Sequence, residues 1–128
     1  MKRSEIQKML EEYDHDGLER DGATRVFSWL LKEHEIPHIV MGGRLEFDGD
    51  VVQPHFWIEL ECGGIVDLKA RMWLKREEVP HGIFDLTDYP KALYVGGEVE
   101  GFIVSKTMFN ILTRASMPTM ICLPESRS

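Results

Sequence analysis

His55-Phe56-Trp57-Ile58-Glu59-Leu60-Glu61, then Cys62-Gly63-Gly64, then Ile65-Val66-Asp67-Leu68-Lys69 is the stretch that decides the fold. Residues 55–61 alternate and are rich in strand formers, the glycines permit a tight reversal, and 65–69 returns with apolar residues. The pattern predicts an antiparallel hairpin over 55–69. A lone hairpin is marginal in water, so it needs more strands and a cover for its apolar face.

The cover lies upstream. Ile6, Met9, Leu10 and Tyr13 recur at helical spacing and predict a helix over 3–13, broken by Asp14-His15-Asp16-Gly17. Ala23, Val26, Phe27, Leu30 and Leu31 form one stripe and predict a second helix over about 22–34. Asp21 stands at its N-cap, where a carboxylate can accept a free N–H of the first turn. Pro37 ends the segment, because the residue before proline avoids helical geometry. Ile39-Val40-Met41 reads as a short strand, Gly42-Gly43 as a bulge or bend, and Phe47-Asp48-Gly49-Asp50 as a turn.

Downstream, residues 71–91 read as irregular around Pro80, Gly82 and Pro90, and Ala92–Val95 as a further strand. Lys106–Thr113, capped by Ser105, reads as a short helix, with a proline-bearing tail from Met117. Helices first and a meander of strands after them predict an α+β fold, with N-terminal helices packed on a small antiparallel sheet that contains the 55–69 hairpin. At 128 residues the chain is expected to form one domain, 1–128.

A net charge of −7 argues against broad binding to nucleic acid or to an anionic membrane. No apolar run approaches the ~20 residues of a membrane helix, and no apolar signal-peptide region follows the N-terminus. Two cysteines, Cys62 and Cys122, are too few for a disulfide scaffold and lack zinc-site spacing, so a reducing, cytoplasmic compartment is expected. Asp14, Asp16, Glu19 and Asp21 miss the calcium-loop pattern, since Leu18 takes the third ligand position and Gly17 comes too early. His15, His34, His38 and His81 show no ligand spacing. No metal and no cofactor is expected.

Chemistry points to the hairpin. His55 opens one strand and Asp67 lies on the return strand. An aspartate that accepts a hydrogen bond from imidazole fixes the ring's tautomer and orientation. Register decides whether the two meet. A two-residue turn at Cys62-Gly63 puts Asp67 opposite Ile58 and facing away from His55, whereas a three-residue turn or a bulge restores the pair. Asp67 also has Lys69 and Arg71 as possible partners. Trp57 and Trp73 fit a core better than a substrate platform, although with Arg71 they could line a cleft where the guanidinium forks onto a carboxylate.

The order helix, Glu35-Ile36-Pro37-His38, His55-Phe56-Trp57-Ile58-Glu59 and Asp67 resembles the transglutaminase-like branch of the papain-like cysteine hydrolases, in the compact form found in small prokaryotic and phage-like relatives. The resemblance covers residues 21–73. It implies a cysteine at the N-terminus of the second helix, where the helix dipole would favour the thiolate. The residue at that position is Asp21, followed by the expected Gly22, and no cysteine precedes His55. Cys62 lies about 23 Å along an extended strand from His55 and cannot reach it, Ser28 lies inside the second helix beyond its first turn and is a poor candidate, and Cys122 stands in the C-terminal tail. The resemblance therefore implies a non-catalytic domain binding a peptide or protein partner. The alternatives are a hydrolase or acyltransferase of altered chemistry, with His55 as base, Asp67 as orienter and Asp21 or Cys122 as unorthodox partner, and a small acidic interaction protein that occupies a basic site on another protein. Oligomeric state is not encoded at this level.

Overall fold

A computed structural model describes residues 2–14, 20–61 and 63–99. In chain order they form α1 (Arg3–Glu12), α2 (Arg20–Glu33), β1 (His38–Phe47), β2 (Asp50–Leu60), β3 (Ile65–Asp67), α3 (Ala70–Leu74), β4 (Gly82–Phe84), a 3-10 turn (Leu86–Asp88) and β5 (Ala92–Glu98). The strands make one antiparallel sheet in the order β4-β3-β2-β1-β5. The fold is α+β, as the sequence predicts. The predicted helix over 106–113, its Ser105 cap, the tail from Met117, His15, Asp16, Glu19, Cys62 and Cys122 lie outside the described residues.

The two helices form where the apolar stripes predict them. Ile6 and Leu10 of α1 and Ala23, Val26, Phe27, Leu30 and Leu31 of α2 are buried in one cluster with Val40, Ile58, Leu60, Val66 and Leu68. The chain leaves α2 through Glu35 at φ 57°, and the Ile36 N–H closes back on the Leu31 carbonyl at 2.9 Å. This left-handed exit satisfies a carbonyl that the helix end would otherwise leave open. It delivers the chain, through Pro37, into β1.

The sheet differs from the sequence reading in two ways. First, the hairpin over 55–69 is present as β2–β3, but the longer hairpin is β1–β2, closed at the predicted turn over 47–50. Asp48 (φ 51°) and Gly49 (φ 94°) make the tight reversal between Phe47 and Asp50, the left-handed pair that the right-handed strand twist favours. Second, β1 does not stop at Met41. It runs through Gly42-Gly43, where β5 presents Gly97 and Gly96 as ladder partners. Glycine facing glycine lets the two backbones approach, so the predicted bend becomes a paired strand with a register shift between Gly43 and Leu45. Pro54, which has no N–H, sits in β2 beside that irregularity, where a missing ladder donor costs least.

Side-chain alternation gives the sheet two buried faces. Val40, Ile58, Leu60 and Val66 point to α1 and α2. Leu45, Phe47, Trp57, Ile65 and Ala92 point the other way. There the segment from α3 to β5 covers them with Ala70, Val79, Phe84, Tyr89 and Tyr94. The stretch read as irregular is therefore a third layer. His55 and Asp67 alternate onto this second face, away from the face on which α1 and α2 pack.

Candidate functional site

β2 and β3 pair through Ile58–Val66 and Glu59–Ile65. The Leu60 N–H donates to the Gly64 carbonyl at 3.0 Å, which closes the reversal between β2 and β3 with the wider, three-residue spacing. Gly63 and Gly64 take φ near 100°, which side-chain-bearing residues rarely adopt. Extending the register by one step sets Asp67 opposite Trp57, so His55, two residues along, lies diagonally across on the same face. Of the two registers the sequence leaves open, the one that unites His55 and Asp67 is observed.

His55 Nε2–H donates to Asp67 Oδ2 at 2.6 Å, and both side chains are 1% exposed. Tyr94 on β5 donates its hydroxyl to the same oxygen at 2.8 Å. Asp67 Oδ1 accepts the backbone N–H groups of Lys69 and Ala70, each at 3.0 Å, which the opening of α3 would otherwise leave unpaired. Four donors converge on one carboxylate, an arrangement suited to its ionised, acceptor-only form. Burial, and then the Asp67 charge, push the Tyr94 phenol far above its ordinary range, so it stays a donor.

With the proton on Nε2, the neutral His55 ring carries its lone pair on Nδ1. That atom is buried and has no partner among the described residues, and the same holds for Trp57 Nε1. The ring stacks on Trp57, with centroids 6.1 Å apart, and lies 6.2 Å from Tyr94. Trp57 meets Tyr94 edge-on at 5.0 Å. The arrangement is an oriented imidazole inside an aromatic shell. It can fix a proton's position, but it presents no open face.

The other predicted residues fall elsewhere. Trp57 is 1% exposed, so it belongs to the core and is no binding platform. Arg71 forks onto the Val79 carbonyl, through Nε at 3.2 Å and Nη2 at 2.9 Å, and so closes the loop after α3. Trp73 is half-buried in α3. Neither Lys69 nor Arg71 takes Asp67 as an ion pair. Lys69, 6% exposed, reaches Asp14 at 2.6 Å and ties the end of α1 to the start of α3. α2 begins at Arg20, which puts Asp21 in the first turn and not at the N-cap. Acidic residues suit both places, so composition did not separate them.

Two features escaped the sequence reading. Tyr94 carries no local signal, because it meets Asp67 only through the non-local β1–β5 pairing. The second is a contact on the other face of the sheet: Ser28 of α2 lies 2.7 Å from His38 Nε2 at the start of β1. Ten residues separate them, and only the fixed exit through Glu35 and Pro37 brings them together. Beside His38 lies a groove of about 260 Å³, lined by Pro37, His38, Ile39, Glu59, Leu60 and Glu61.

Among the described residues no group of histidine, cysteine, aspartate and glutamate forms a metal cluster, and no helix is long and apolar enough to cross a membrane. No family model, no curated protein and no solved structure matches the chain.

Proposed function

We propose that the chain is a transglutaminase-like domain of a reducing, cytoplasmic compartment that binds a peptide or protein partner, with His55 and Asp67 retained as a buried scaffold. The observation that supports this reading is the burial of the pair. A general base must come within hydrogen-bond reach of its substrate, whereas His55 is 1% exposed and closed in by Trp57 and Tyr94. The acidic residue at position 21 supports it further, since it supplies no thiolate. The partner surface is the groove at Pro37, Ile39, Glu59 and Glu61. There 40%-exposed Ile39 offers an apolar anchor between carboxylates, which suits an extended peptide of mixed apolar and basic character.

The test has two arms. Panning a displayed peptide library on the folded domain should return a convergent motif whose binding is lost in Ile39→Arg. Unrelated sequences, or binding indifferent to Ile39, contradict the reading. Incubation with glutamine- and asparagine-bearing peptides should release no ammonia or amine. A second reading, hydrolysis or acyl transfer with His55 as base, draws on the bare Nδ1 lone pair. Release of ammonia that disappears in His55→Gln would establish it in place of the first.

A further inference from the structure

Ser28 and His38 stand outside the His55 site, on the opposite face of the sheet. His38 Nδ1–H donates to the Ile36 carbonyl at 2.8 Å. A carbonyl can only accept, so this bond fixes the proton of the neutral ring on Nδ1 and leaves Nε2 as the acceptor. The Ser28 hydroxyl, 2.7 Å away, is then the donor to Nε2. Hydroxyl, imidazole and orienting acceptor in that order form the arrangement that activates a nucleophile: the base lies within hydrogen-bond reach and a third group holds it in the productive tautomer. Both side chains are half-buried, and His38 lines the groove at Ile39 and a second one formed by Lys32, Glu35, Ile36 and Pro37.

We propose that Ser28 is an acyl-accepting nucleophile with His38 as its general base, taking a small activated carboxylic ester that is neutral or cationic. The charge preference follows from Glu59 and Glu61 in the walls of the groove at Ile39, which repel an anionic ester, whereas Lys32 offsets Glu35 in the second groove. In the step, Ser28 Oγ attacks the ester carbonyl carbon and its proton passes to His38 Nε2. The bond from that carbon to the leaving oxygen breaks, and the departing alkoxide takes the proton from His38. The products are acyl-Ser28, the free alcohol and neutral His38. General-base assistance contributes about 10²–10⁴-fold, so the chemistry is slow acyl capture and not rapid turnover.

The experiment is incubation of the full chain with p-nitrophenyl acetate, followed by peptide mass mapping over time at several pH values. The expected result is one acetyl group on Ser28, a rate that falls toward acid pH, no Ser28 adduct in Ser28→Ala, and a rate reduced roughly 10²-fold in His38→Gln. Circular dichroism checks that both variants fold. Should either fail to fold, the site and pH dependence in the unaltered chain decide. Acetylation confined to lysines or other serines, or a Ser28 rate independent of pH or of His38, overturns the proposal and leaves the bond as a tie between α2 and β1.

Discussion

Tyr94 shows how a residue can matter through a partner that sequence does not reveal. His55 and Asp67 are legible as a candidate pair from strand alternation and a short turn, although the sequence leaves two registers open and only one of them unites the pair. Tyr94 is not, since nothing around Ala92–Val95 says that β5 lies beside β1. Its phenol pKa is raised in the folded state by burial and by Asp67. A group whose folded pKa is raised contributes stability that is fully present below its unfolded value, about 10 for tyrosine, and is lost as pH climbs above it. Alkaline titration by ultraviolet absorbance should therefore find that Tyr94 fails to ionise until the protein unfolds. Tyr94→Phe should remove that delayed class. Ionisation of Tyr94 near pH ~10 in the folded protein would contradict the hydrogen bond to Asp67.

At the scale of elements, the sequence announced the helices, the Asp48-Gly49 turn and the reversal before Ile65, because each carries a local signature. It hid the length of β1. Two adjacent glycines look like punctuation, and only their pairing with Gly96 and Gly97 turns them into strand. A Cβ on Gly43 would fall well inside van der Waals contact of the Val95 carbonyl oxygen, and one on Gly96 would do the same to the Gly42 carbonyl oxygen. Both obstacles are backbone and cannot swing aside. Gly96→Ala should therefore destabilise by about 1–3 kcal/mol in urea unfolding. Gly97→Ala, whose Cβ meets nothing within 4 Å among the described residues, should change stability by less than ~0.5 kcal/mol. Equal effects of the two would show that β1 and β5 are not in the register described.

Taken as a whole, the described part of the molecule is a sheet with helices on one face and the α3–β5 segment on the other. The His55–Asp67–Tyr94 cluster links strands β2, β3 and β5 and fixes the opening of α3, all through one carboxylate. The sequence showed the first face plainly, through its helical stripes. The second was obscure because the segment 71–91, rich in turn residues, carries no periodic pattern from which a packed layer could be read. A cluster that joins so many elements serves the fold first. The most direct test of that claim is the global unfolding free energy of His55→Gln in urea, followed by tryptophan fluorescence. Loss of the buried hydrogen bond to Asp67 should cost about 2–4 kcal/mol, with an unchanged denaturant slope. Stability equal to or above that of the unaltered chain would contradict it, marking His55 as a residue kept for chemistry at the expense of the fold.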